Sequence, residues 1–170
     1  MKRALIIAPH PDDEILGVGG TIARMVKENW EVTVLIVTTG FPPLFNETLV
    51  ERGRQEMLQA HQFLGVSRTI LLDEFPAAQL DTVPHSKLNA KLDEVMEEVK
   101  PELIFIPFMY DIHLDHQLVS LSALVAARPC LNHTPKKILA YETLSETFWN
   151  APNGATAFIP NYYVDISQFL

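Results

Sequence analysis

Short, almost wholly apolar runs alternate with longer amphipathic stretches along this chain, and that alternation constrains its fold more than any other feature. Arg3–Ala8, Val32–Val37, Thr69–Leu72 and Leu103–Ile106 read as strands whose apolar residues follow one another instead of occupying every second position. Successive strand side chains point to opposite faces, so such runs need cover on both. Between them the spacing predicts helices over Ile15–Glu28, Glu47–Leu64, Ser86–Val99 and about Asp115–Ala127, with Gly65 ending the second. Phe41–Asn46 and Asp73–Pro84 read as loops, Ile138–Tyr141 and Tyr162–Ile166 as two further strands. The fold class is α/β: a Rossmann-like three-layer sandwich around a mostly parallel sheet. Right-handed crossovers favour the strand order 3-2-1-4 for the first four strands.

That order makes strands 1 and 4 neighbours at a topological switch point, where open α/β sheets bind their ligands. The chain's two charged clusters follow those two strands. The first is Ala8-Pro9-His10-Pro11-Asp12-Asp13-Glu14, the second Asp111-Ile112-His113-Leu114-Asp115-His116. Crowded carboxylates repel one another, and a cation is the natural reason to gather them. His10 with Asp12 or Asp13 supplies two ligands of a divalent metal, and His113 or His116 the third, leaving a position for water. Adjacent aspartates point differently, so one can hold metal while the other takes a proton from that water. Helix capping explains one such aspartate alone. The combined clusters point instead to a metal-dependent hydrolase.

At 170 residues, 48% hydrophobic, the chain fits a single domain spanning 1–170. A net charge of −8, with Lys2-Arg3 and Lys136-Lys137 the only adjacent basic pairs, argues against nucleic acid. No apolar stretch approaches a membrane span, and the first one ends at Pro9, too early for a signal peptide. The single cysteine, Cys130, excludes an intramolecular disulfide and suits the cytoplasm; it reads as structural. His61, His85 and His133 stand alone and read as surface or core-edge residues. Gly17, Gly19 and Gly20 do not form G-x-G-x-x-G, and three carboxylates in the preceding turn would repel a pyrophosphate. Close helix–sheet packing accounts for them better.

These motifs resemble the LmbE-like (PIG-L) family of zinc-dependent N-acetylglucosaminyl deacetylases. The similarity rests on Pro9–Glu14 followed by Gly17-Val18-Gly19-Gly20-Thr21, on His113-Leu114-Asp115-His116, on Thr39-Gly40, on Glu56…Ala60…Leu64-Gly65, and on Pro160–Ile166. The resemblance implies one Zn2+ per chain on His10, Asp13 and His116, with Asp12 as general base. It implies His113 as oxyanion stabiliser or acid, and Asp115 as the group that orients it. The substrate it implies is an N-acetylated amino sugar or its conjugate, with a homo-oligomer left open. Members usually carry an arginine where this chain has Gly53, so the flanking Arg52 and Arg54, with Thr39, become the candidate substrate contacts. Some members place a tyrosine where this chain has Asp111. Members usually continue past Asp165-Ile166-Ser167, so a chain ending at Leu170 reads as a truncated form. Tyr141–Trp149 reads as a pocket rim, with Phe148 or Trp149 placed either to stack on a sugar or to pack as a lid. Two other functions compete: a metallophosphoesterase, and a non-catalytic Rossmann-like binding module.

Overall fold

Five strands pair in the order β3-β2-β1-β4-β5, and every pairing is parallel. The computed structural model describes residues 2–150 and 157–169; the expectation drawn from the chain's end at Leu170 lies outside them. The elements run β1 (Arg3–Ala8), α1 (Asp13–Lys27), β2 (Glu31–Ile36), α2 (Glu47–Leu64), β3 (Arg68–Leu71), a 3-10 turn (Leu80–Thr82), α3 (His85–Val99), β4 (Leu103–Pro107), α4 (Leu114–Ala126) and β5 (Lys137–Tyr141). The expected order of the first four strands holds, and β5 adds itself beside β4.

Two apolar layers explain why the strands lack polar alternation. Leu5 and Ile7 face a layer completed by α3 and α4, through residues such as Leu92, Met96 and Val119. Ala4, Ile6 and Ala8 face the opposite layer, where Ile22 and Met25 of α1 and Met57 of α2 close it. Along α2, Met57 is buried, Leu64 is half-buried, and Leu49 and Leu58 are exposed. Asn46 caps this helix by accepting from the Thr48 and Leu49 amides, and Gly65 ends it with φ of 76°.

Of the three glycines read as close helix–sheet packing, Gly17 fits that reading. A Cβ there would lie 2.3 Å from the Tyr141 ring, whose hydroxyl donates to the Ile7 carbonyl at 2.9 Å. Bare backbone thus lets α1 lie directly on β5. Gly19 meets only Ile15 at 3.6 Å and needs no such explanation.

Three expectations fail in instructive ways. Tyr162–Ile166 forms no strand: it pairs with neither β3 nor β5 at the sheet edges, and both tyrosines are exposed. The segment lies on α1 instead, with Ile166 against Gly20 and the Arg24 guanidinium donating to the Asp165 carbonyl at 3.1 Å. His61 is interior, with Nε2 2.9 Å from Glu14 Oε1 and Nδ1 2.8 Å from Thr69 Oγ1, tying α2 to α1 and β3. Cys130 is exposed, which removes a packing role for it.

Gly17→Val should therefore force Tyr141 or α1 to move. We expect a loss of about 1–3 kcal/mol from overpacking, read as a melting temperature lower by roughly 2–4 °C per kcal/mol. Gly19→Ala should melt at or slightly above the parent temperature. Equal melting of the two variants would contradict the close approach of α1 to β5.

Candidate metal centre

The turn that leaves β1 is shaped by Pro9 and Pro11 and closed by the Asp12 amide donating to the His10 carbonyl at 3.0 Å. Asp12 occupies the N-cap position of α1, yet its side chain accepts no bond from the helix. Capping therefore does not engage this carboxylate. Asp13 opens the helix and turns back, its Oδ2 accepting from the His10 backbone N–H at 2.9 Å. Across the switch point, His113 caps α4: its Nδ1 accepts the Asp115 amide at 3.1 Å. A neutral ring then carries its proton on Nε2.

Asp13 Oδ2 is the hub of the cluster. It lies 3.3 Å from His10 Nδ1 and 3.2 Å from His116 Nε2. The far nitrogen of each ring meets a second carboxylate, His10 Nε2 on Asp115 Oδ2 at 3.0 Å and His116 Nδ1 on Asp111 Oδ2 at 2.8 Å. Ligating imidazoles are commonly fixed in this way from behind. These carboxylates also gather the surrounding loops. Asp115 accepts the Ala78 and Leu80 amides at 2.7 and 3.3 Å, and Asp111 accepts the Thr147 hydroxyl at 2.7 Å. His113 packs against His10 with ring centroids 4.6 Å apart. Donor atoms of His10, Asp13 and His116 all lie within 4.8 Å of one another, as do those of His10, His113 and Asp115.

The charges follow from these contacts. Burial lowers the affinity of His10 and His116 for protons, but the facing carboxylates outweigh it and hold both rings up at about 9. Burial would raise Asp13, yet its bonds to the two rings hold it well below the usual carboxylate range. Asp12 moves the other way, raised by burial and by its neighbour Asp13. His113 is lowered by burial and then by His10, which favours the neutral ring. Asp115 is lowered: its bonds to His10 and the Ala78 amide outweigh its burial.

Several site residues differ in placement from the sequence reading. The Asp115 carboxylate engages His10 and not the His113 ring, which it reaches only through its backbone N–H. Asp111, given no role by its spacing, backs His116. Thr39 and Arg54 line a cavity of about 330 Å³ that opens from His10 and His113. Both are tied to Asp73, Thr39 donating at 3.2 Å and Arg54 forming an ion pair. Arg52 is exposed, pairs with Glu56 at 2.8 Å, and lies outside the cavity. Phe148 and Trp149 are exposed and form no part of its lining.

A five-stranded parallel sheet with a His/Asp cluster at its switch point defines a class, and the comparisons with known proteins fit it. Residues 5–127, which include both clusters, match the family described as PIG-L: GlcNAc-PI de-N-acetylase. The chain belongs to the PIG-L family. It is 28% identical to the uncharacterized deacetylase YaiS of Escherichia coli, over 98% of this chain and 83% of that protein. It is 26% identical to the diacetylchitobiose deacetylase of Thermococcus kodakarensis, over 100% of this chain and 66% of the relative. Among solved structures, the conserved protein TT1542 of Thermus thermophilus superposes with a TM-score of 0.79 at 29% identity, covering 99% of this chain and 74% of that one.

Removing the Asp115 carboxylate should loosen the 73–84 loop before anything else. In Asp115→Ala the amides of the part-buried Ala78 bond and the buried Leu80 bond lose their acceptor, at a cost of about 1–3 kcal/mol for the buried Leu80 donor. Their hydrogen exchange should accelerate, whereas Asp111→Ala should leave Ala78 unchanged. Unaltered exchange at Ala78 in Asp115→Ala would contradict the contact.

Proposed function

We propose that this protein is a zinc-dependent amidohydrolase that removes the N-acetyl group from an N-acetylglucosamine-type sugar or sugar conjugate. The observation that carries the reading is Asp13 Oδ2 facing two imidazole nitrogens, each ring backed by its own carboxylate, at the mouth of a cavity. Two nitrogens and one carboxylate make a donor set that catalytic zinc takes, with a position left open. His10 Nδ1, Asp13 and His116 Nε2 would hold one ion per chain, and the fixed rings and shared oxygen suit it. A bound zinc ion supplies Lewis acidity, lowering the pKa of water towards 7 and polarising a carbonyl.

The chain's own groups supply the remaining chemistry. Asp12, free of capping bonds, accepts a proton from the attacking water. His113, neutral with its proton on Nε2, donates to the developing oxyanion. Water oxygen joins the carbonyl carbon, the C–N bond breaks, and the proton held by Asp12 passes to the leaving nitrogen. Water's second proton, left on the new carboxylic acid, then passes to the amine, so the products are a carboxylate and an ammonium. Asp115 and Asp111 position the two ligand rings.

The diacetylchitobiose named for the T. kodakarensis relative supports an N-acetylated amino sugar as substrate. Two-metal phosphoesterase chemistry fits less well, because the two possible donor groups among the described residues share His10 and would compete for it. Among the described residues no helix is long and apolar enough to cross a membrane. The single cysteine of the sequence fits a cytoplasmic setting.

Asp12→Asn should keep about one zinc per chain while losing about 10²–10⁴-fold in the rate of acetate release from N-acetylglucosamine or its chitobiose dimer. Asp13→Asn should lose zinc. Metal analysis and acetate release on both variants, with p-nitrophenyl phosphate as comparator, decide the matter. Wild-type turnover in Asp12→Asn, or phosphatase without deacetylase activity in the parent, would overturn the reading.

A further inference from the structure

Glu14 and His61 are buried titratable groups that take no part in the chemistry above. Glu14 directly follows Asp13 in the first turn of α1, and His61 stands in the last turn of α2. His61 Nε2 lies 2.9 Å from Glu14 Oε1, and its Nδ1 lies 2.8 Å from Thr69 Oγ1 of β3. Glu14 Oε2 has no hydrogen-bond partner among the described residues. An interior carboxylate is costly without a partner, so the burial of Glu14 depends on His61.

The backbone of α1 adds an independent observation. Val18, with φ of −137° and ψ of 16°, breaks the helix after its first turn. The turn that carries Asp13 and Glu14 is therefore joined to the remaining helix by a kink, and the Asp12 side chain does not cap it. Its orientation has to come from side chains. Adjacent helical positions diverge by about 100°. Asp13 accordingly reaches the His10 backbone N–H and the two imidazoles, while Glu14 reaches the other way, to α2. Asp13 Oδ2 is shared by both rings, so a tilt of this turn alters two contacts at once.

We infer, on the zinc reading above, that Thr69, His61 and Glu14 form a strut that sets the angle of the metal-binding turn. His61 is then a positioning residue. It touches neither metal nor substrate, and it acts through Glu14 on where Asp13 Oδ2 stands between His10 Nδ1 and His116 Nε2.

Asparagine and glutamine at position 61 separate such a strut from simple packing. Glutamine can place its side-chain N–H near the position of His61 Nε2 and keep a donor for Glu14. Asparagine, a methylene shorter, reaches only towards Thr69 and leaves Glu14 without one. His133 serves as comparator: it is also buried and lies 2.9 Å from Asp93, but it follows the C-terminal end of α4, whose N-terminal end carries His116. Chelator competition gives the zinc dissociation constant. In metal-free protein, hydrogen exchange of the His10 amide reports on its acceptor, Asp13 Oδ2.

His61→Asn should weaken zinc binding at least about tenfold and speed His10 exchange, with His61→Gln close to the parent in both. His133→Leu should lower the melting temperature and change neither. Should His61→Asn fail to fold, Thr69→Val, which frees the other end of the ring, takes its place and should shift both readings in the same direction. Parental zinc affinity and parental His10 exchange in the folded variant overturn the strut and leave the zinc reading standing. Losses in His133→Leu equal to those in His61→Asn also overturn it, because general destabilisation then accounts for them. A parent that binds no zinc overturns the zinc reading, and His10 exchange then decides the strut alone.

Discussion

One carboxylate oxygen, Asp13 Oδ2, accepts from the His10 backbone and faces imidazole nitrogens from two distant parts of the chain. Bringing buried carboxylates and imidazoles together costs solvation, and the arrangement is stable only because each charge meets its opposite. The order is regular: Asp115, His10, Asp13, His116, Asp111, each carboxylate alternating with a ring. Its ends are anchored by the Ala78 and Leu80 amides on one side and the Thr147 hydroxyl on the other. The loops that border the site are thus held by the residues that set its geometry.

The sheet makes that chain of charges available. Parallel pairing of β1 with β4 puts the turn after Ala8 beside the loop after Pro107, and α1 and α4 both start there. Each helix contributes from its first turn, Asp13 from α1 and His116 from α4. Continuous apolar strands fix the layers on both faces, so the polar residues are left to the strand ends. Fold and site are consequences of one pattern.

That is why so much was legible in sequence. Strand order followed from apolar continuity and crossover handedness, and the two clusters fell at the switch point without any appeal to their chemistry. Contacts across the fold were not legible. His10 and Asp115 lie 105 residues apart, and no spacing rule assigns that carboxylate to His10 over the nearby His113. Asp73 meets Thr39, and Asp111 meets Thr147, only through tertiary packing. His61 looked solitary because its partner Glu14 sits 47 residues away within a motif read as metal-binding. Tyr162–Ile166 had strand composition, but its contacts with α1 keep it off the sheet edges. Arg52 and Arg54 could not be ranked by sequence: two residues apart, they point about 200° away from each other around the helix, and only Arg54 faces the cavity.

We propose one zinc site in which His10, Asp13 and His116 supply two imidazoles and a carboxylate. X-ray absorption at the zinc edge of the loaded protein tests it most directly. The expected shell is nitrogen and oxygen alone, with two imidazole nitrogens at about 2.0–2.1 Å and oxygen filling the rest. A shell containing sulfur, or one with fewer or more than two imidazoles, would contradict it.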